Sequence, residues 1–210
     1  MIKCYYTERL LKKLVHLNSI YEGKICINLI NQAISYAKKC HEGQFRNSGE
    51  PYYTHPLEVA YMVADYCIKT DVLVTAILHD TIEDTEATKY TIADLFGMKI
   101  AQNVVDLTRI KENDTKITSA ELVDNLFEEK KYDLLLVKQF DRLHNMKTLG
   151  AKSPEKKQKT IKETVYAFIV LSAYLGLRNV EEEISFLCSN TLKEQSYLNS
   201  GTMVNFRDEM

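Results

Sequence analysis

The sequence predicts an all-α fold, on three observations. Seven Gly and three Pro in 210 residues leave little of the turn chemistry that a many-stranded sheet needs. Apolar residues recur at helical spacing, with Ile27, Ile30, Ile34 and Ala37 on one face and Leu57, Ala60, Tyr61, Ala64 and Ile68 on another. The run from Val72 to Ile82 is apolar nearly all round before its polar end, as suits a helix at the centre of a helical domain.

The elements follow in order. The opening MIKCYYTERLLKKLVHL carries charge throughout, so it reads as neither a signal peptide nor a transit peptide. Helices are expected over the two periodic faces and over 72–82, with the polar stretch Gly43 to Pro56 as a loop between the first two. Thr91 with Asp94, and Thr118 with Glu121, have capping-box spacing and mark two helix starts. The stretch Lys111 to Lys116 is a second loop, and a helix covers 132–149. Ser153-Pro154-Glu155 opens another helix, with Ser as cap and Pro in the first turn, running to Gly176 as its C′ residue. A last amphipathic helix carries Val180, Ile184 and Leu187 on its face. The expected organisation is one domain over 1–198 and a frayed tail over 199–210.

Composition narrows the function. A net charge of −2, from 27 basic and 29 acidic residues, removes the usual electrostatic basis for a nucleic-acid partner. No window supplies the roughly 18 apolar residues of a membrane span. Five widely spaced Cys with no C-x-x-C pair suit buried small hydrophobes in a reducing compartment, so the cytoplasm is the expected location.

The chemistry concentrates in two segments. In HDTIED (79–84), a continuous helix places Asp80 three and four residues before Glu83 and Asp84, so the three carboxylates share a face. Either this is an exposed acidic helix end, or a divalent cation or a partner that needs protons handled offsets the repulsion. In the helix over 132–149, Asp141, Asn145 and Thr148 form a polar stripe at i, i+4 and i+7. The stripe is either a solvated face or a hydrogen-bonding wall. His55 alone reads as a loop hydrogen-bonder, and His16, His41 and His144 as structural.

Together, His55, His79, Asp80 and Asp141 form the pattern H…HD…D, which resembles the metal signature of the HD superfamily of phosphohydrolases. Two imidazoles and two carboxylates suit Mn²⁺ or another octahedral divalent ion. The words FRNSGEPYYTHPLEVA (45–60), AILHDTIEDTEAT (76–88) and FDRLHNMKTL (140–149) resemble the hydrolase domain of the Rel/SpoT alarmone enzymes, from about Ile27 to about Leu187. The resemblance implies a single helical HD-type bundle that removes the 3′-pyrophosphate of (p)ppGpp, with Mn²⁺ on His55, His79, Asp80 and Asp141. Glu83 and Asp84 match the family's catalytic acid pair. Arg46 matches the residue that stacks on guanine, and Ser48, Tyr52, Asn145 and Thr148 match nucleotide-contacting positions. Lys162 and Tyr166 match a basic residue and a tyrosine that reach the substrate phosphates in the small single-domain relatives. Lys162 is also one of five lysines between Lys152 and Lys162, so a solvated lysine is the competing reading.

Three positions depart from the pattern. Asn47, a substrate-side position, stands where the family carries Lys or Arg; Phe140 replaces a small residue; Lys147 replaces Arg. Asn47 leaves room for another nucleotide, such as the 2′-phosphate of NADPH. A non-catalytic alarmone-binding sensor is the third reading, against which the intact Glu83 and Asp84 weigh. Because the sequence given stops just after the last hydrolase helix, hydrolysis without synthesis is expected.

Overall fold

The computed structural model describes residues 5–109 and 116–204, with side chains described as far as Lys193. Helices α1 (Tyr5–Ile20), α2 (Ile27–Cys40), α3 (Thr54–Val63), α4 (Thr70–Leu78), α5 (Thr81–Asp84), α6 (Lys89–Phe96), α7 (Met98–Leu107), α8 (Ser119–Glu128) and α9 (Tyr132–Lys147) come first. After a 3₁₀ turn at Leu149–Ala151 come α10 (Pro154–Glu163), a π-helical segment Thr164–Phe168, α11 (Ile169–Tyr174) and α12 (Arg178–Val204). The described residues include an isolated bridge between Phe45 and Pro51 and no extended strand. The all-α expectation is met.

The chain divides into two compact units, 1–144 and 145–210. In the first, α4 is the centre, packed by α2, α3 and α7. Val72 through Leu78 are all buried, which is why the sequence there is apolar on every side. Ile30, Ala33, Ile34 and Ala37 of α2 and Leu57, Val59, Ala60 and Val63 of α3 supply the facing surfaces. In the second unit, α12 packs on α10, the π segment and α11, around Ile161, Phe168, Leu171, Val180 and Ile184.

Local signals set the ends. Thr118 and Glu121 form the expected capping box of α8. The box at α6 differs from expectation: Thr88 is the N-cap and Thr91 its N3 partner, so the helix starts three residues earlier. Two Thr hydroxyls satisfy each other's backbone amides there, a pairing the S/T-x-x-E/Q pattern does not contain. Pro154 opens α10 after Ser153. The path ends as expected at Gly176 (φ 68°), with Gly176 N–H donating to the Ala173 carbonyl and Leu177 N–H to that of Ser172. Over the expected tail, α12 continues to Val204, and residues 205–210 lie outside the described residues. Most of the second expected loop lies outside them too.

The single helix expected through HDTIED is broken. α4 ends at Leu78, because the His79 ring bonds the Ala76 carbonyl at 2.8 Å and Thr81 Oγ1 donates to the Leu78 carbonyl at 2.6 Å. A new turn then starts, with Asp84 N–H donating to the Asp80 carbonyl at 2.9 Å. The break sends the Glu83 carboxylate to Arg109, while Asp80 and Asp84 share the Tyr52 hydroxyl.

Candidate metal centre

His55 was expected in a loop, but the loop closes earlier. Arg46 N–H donates to Glu50 O and Tyr52 N–H to Gln44 O, both at 2.9 Å, and Gly49 takes a positive φ of 89° at the tip. The chain then enters α3, where Thr54, His55 and Pro56 are buried in the first turn. Pro56 is tolerated there because first-turn amides have no helical acceptor.

Three segments bring the four expected ligands together. His55 Nε2 lies 3.2 Å from Asp141 Oδ1 and 3.5 Å from Asp80 Oδ2. His79 Nε2 lies 3.1 Å from Asp80 Oδ1 and 3.8 Å from Asp141 Oδ1. His55, His79 and Asp141 are buried and each turns a donor atom to a common point, within 4.8 Å of one another. His79 Nδ1 faces a carbonyl and so carries a proton, which leaves Nε2 bare in the neutral ring. That buried nitrogen has no hydrogen-bond partner. An unmet buried nitrogen amid two carboxylates and a second imidazole fits a cation with mixed N and O ligands.

The charges fit as well. Burial works against the charged form of Asp141, but Lys138 and the two imidazoles outweigh it and hold the carboxyl well below the ordinary range. Burial lowers His55, favouring the neutral ring that a metal requires.

The two acids expected as a catalytic pair are held differently. Glu83, 6% exposed, accepts from Arg109 Nε at 3.1 Å and Nη2 at 2.5 Å, from the Arg109 backbone at 3.2 Å, and pairs with Lys116 at 2.9 Å. Burial alone would raise its pKa; the two cations instead bring it down to about 2. Asp84 faces Tyr52, whose hydroxyl lies 2.7 Å from Asp84 Oδ2 and 3.0 Å from Asp80 Oδ2. Burial and then the Asp80 charge push Asp84 upward. Tyr52, expected as a nucleotide contact, thus bridges a metal-ligand position and an acid.

The Glu83 pairing makes a prediction for stability. Its pKa falls from 4.5 to about 2 on folding, so its contribution is present above pH 4.5 and lost as the pH falls toward about 2. Glu83→Gln is expected to cost about 2–3 kcal/mol at pH 7, the linkage value discounted for partial solvent screening. Denaturant titrations of both forms should converge as the pH falls from 4.5 to about 2, and a gap independent of pH would contradict the pairing.

The remaining expected substrate residues are placed as follows. Arg46 is half-buried on the turn before Tyr52, with Asn47 and Ser48 exposed at its tip. Asn145 stands one turn after Asp141 in α9, and Thr148 just beyond the helix. Lys162 in α10 and Tyr166 in the π segment are both exposed. Side chains not expected at the site crowd the centre: Lys138 on α9, Arg109 and Lys116 on Glu83, and two histidines read as structural, His144 on α9 and His41, whose ring stacks on Tyr52 at 4.7 Å. Arg109 lies in the segment DLTRI (106–110), and His144 in the FDRLHNMKTL word. Their partners lie 26 and 89 residues away, beyond the reach of spacing.

A helical bundle that brings His55, His79 and Asp141 to one point, with Asp80 beside them, has the character of an HD protein. The chain belongs to the HD domain family, whose model matches residues 33–177. Its relatives include GTP pyrophosphokinase rsh of Brucella melitensis biotype 1, 38% identical over 172 residues, covering 80% of this chain and 23% of that protein. The bifunctional (p)ppGpp synthase/hydrolase SpoT of Escherichia coli (strain K12) is 36% identical over 176 residues, covering 81% and 25%. The chain therefore spans about a quarter of the length of these curated relatives. A solved structure of a metazoan ortholog of SpoT that hydrolyses ppGpp shares the fold, with a TM-score of 0.61 and 21% identity over 78% of this chain and 95% of that one. Among the described residues, no helix is long and apolar enough to cross a membrane.

Proposed function

We propose that this chain hydrolyses the 3′-pyrophosphate of (p)ppGpp, yielding GDP or GTP and pyrophosphate. The observation that carries the reading is the convergence of His55, His79 and Asp141 on one buried point, with Asp80 at 3.1 Å from His79 and Asp84 beside it under the Tyr52 hydroxyl. Mn²⁺ is the ion proposed for His55, His79, Asp80 and Asp141, since two nitrogens and two oxygens suit a borderline-hard metal. When bound, a divalent ion supplies Lewis acidity toward a phosphate oxygen and toward water.

The residues divide the remaining work. Asp84 takes the proton from the attacking water, because it is raised, half-free and steered by the Tyr52 hydroxyl. Glu83 is committed to Arg109 and Lys116 and acts by fixing those two cations. The water oxygen bonds to the phosphorus on the ribose 3′-oxygen, the P–O3′ bond breaks with its electron pair on O3′, which takes up a proton from solvent to become the 3′-hydroxyl, and pyrophosphate leaves as one piece. Arg46 takes the guanine face, its flat, weakly hydrated plane suiting the task. Ser48, Asn145 and Thr148 take the base and ribose, and Lys162 with Tyr166 the phosphates; Asn47 supplies no cation there. Cys26, Cys40, Cys67 and Cys188 form no disulfide among the described residues, in keeping with a reducing, cytoplasmic setting.

Incubating the protein with ppGpp and Mn²⁺ should give GDP and pyrophosphate in equal amounts. Orthophosphate as the first product, or turnover of NADPH with none of ppGpp, would overturn the substrate assignment. Asn47→Lys should tighten ppGpp binding several-fold at most, as befits an exposed contact worth ~1 kcal/mol or less. Equal affinities at low and high salt would remove Asn47 as a determinant.

A further inference from the structure

Asp141 has two oxygens with separate claims on them. Oδ1 turns to His55 and His79, while Oδ2 accepts from Lys138 Nζ at 2.7 Å. Lys138 is 5% exposed and sits one turn before Asp141 in α9. One turn after it comes His144, whose Nδ1 is 2.8 Å from His55 Nδ1. A single side of α9 therefore carries one expected ligand and a direct support for each of two.

The chemistry assigns the protons. A histidine that gives Nε2 to a metal is neutral and carries its hydrogen on Nδ1. Two Nδ1 atoms at 2.8 Å share one proton, so His55 donates and His144 accepts, which places His144's own hydrogen on Nε2. The backbone carbonyl of Ala76 performs the same service for His79. Lys138, with donors only, cannot compete for an ion; it removes Oδ2 from the contest.

We propose that Lys138 and His144 are positioning residues of the metal centre, Lys138 turning Asp141 Oδ1 alone toward the ion and His144 locking His55 with a bare Nε2. The proposal rests on the metal reading above, and it has a consequence that a purely structural role lacks. By charge alone, a buried ammonium beside a dication repels it, so deleting that ammonium would tighten metal binding. By positioning, the same deletion loosens binding, because Asp141 loses its orientation. The sign decides.

Mn²⁺ affinity of the full chain, read by electron paramagnetic resonance of the free ion, separates the cases without reference to turnover. Lys138→Met and His144→Phe are each expected to weaken binding by about 10–100-fold, the range usual for the partners of metal ligands. Lys138→Gln, which keeps a donor, and His144→Asn, which keeps an acceptor near the ring's Nδ1 position, should each recover most of the loss. A wild-type chain that binds no Mn²⁺ overturns the metal reading itself. A wild-type chain that binds, with Lys138→Met binding as tightly or more tightly, overturns the positioning role alone. Should Lys138→Met fail to fold, His144→Phe against His144→Asn makes the same comparison at the other support, and equal affinities there overturn the proposal.

Discussion

His79→Ala is expected to abolish Mn²⁺ binding and to cut ppGpp hydrolysis by ~10³-fold or more. Loss of a Lewis acid is worth several kcal/mol of barrier, and ~4 kcal/mol is already a factor of ~10³. His79 is the position of choice because both its nitrogens are accounted for: Nδ1 on the Ala76 carbonyl, Nε2 buried and unmet. In the metal-free protein, burial opposes a proton on this ring, but Asp80 and Asp141 outweigh it and carry the pKa up to about 9. That proton stabilises the metal-free fold below pH 6.5, and its contribution is lost as the pH rises through about 9. An arriving dication must displace it, so Mn²⁺ affinity should rise with pH toward 9 and binding at pH 7 should release on the order of one proton. Calorimetry in buffers of different ionisation heat counts that proton. Alanine also removes one of the two imidazoles beside Asp80 and Asp141, so His79→Gln is the control for stability. A His79→Ala protein that keeps wild-type Mn²⁺ affinity would remove this histidine from the metal centre.

The ligand pattern was legible in the sequence because such a donor set is chemically unusual and its members lie in recognisable words. The helices were legible where one face alone is apolar, as in α2, or where every face is, as in α4. Caps were legible where a single side chain closes its own turn, as Thr118 and Glu121 do. The break after Leu78 was not, because it depends on side chains capturing carbonyls that a helix would otherwise use. The HDTIED carboxylates therefore seemed to share a face, whereas the break sends Glu83 to Arg109 and Asp84 to Tyr52. His144 read as structural for a similar reason. Its partner, His55, is 89 residues away, and only the packing of α3 against α9 reveals that it serves a ligand. Local chemistry is written in spacing; the support of a site is written in tertiary neighbours.

Asp84→Asn is the second large effect, expected to lower kcat by ~10²–10⁴-fold, the range for a positioned acid–base group. Mn²⁺ affinity should stay within a few-fold of wild type, because Asp84 stands behind the Tyr52 hydroxyl and not among the converging donors. That hydroxyl has one proton for two carboxylates, 2.7 Å from Asp84 and 3.0 Å from Asp80. Burial and both negative neighbours push the phenol's own pKa far upward, so it stays a donor throughout the accessible pH range. The Asp84 pKa rises, through burial first and the Asp80 charge second, and the Tyr52 hydrogen bond offsets only part of that rise. A base must be unprotonated to act, so the acid limb of kcat should lie above the ordinary aspartate value of about 3.9. Tyr52→Phe removes a bond that favours the Asp84 anion and should move that limb to still higher pH, with a smaller loss of rate than Asp84→Asn. Glu83→Gln offers the contrast. Its carboxylate is already saturated by Arg109 and Lys116, so that variant should lose stability without shifting the acid limb. If Asp84→Asn instead releases Mn²⁺ and regains its rate in excess metal, Asp84 is a ligand and the proton must travel through another group.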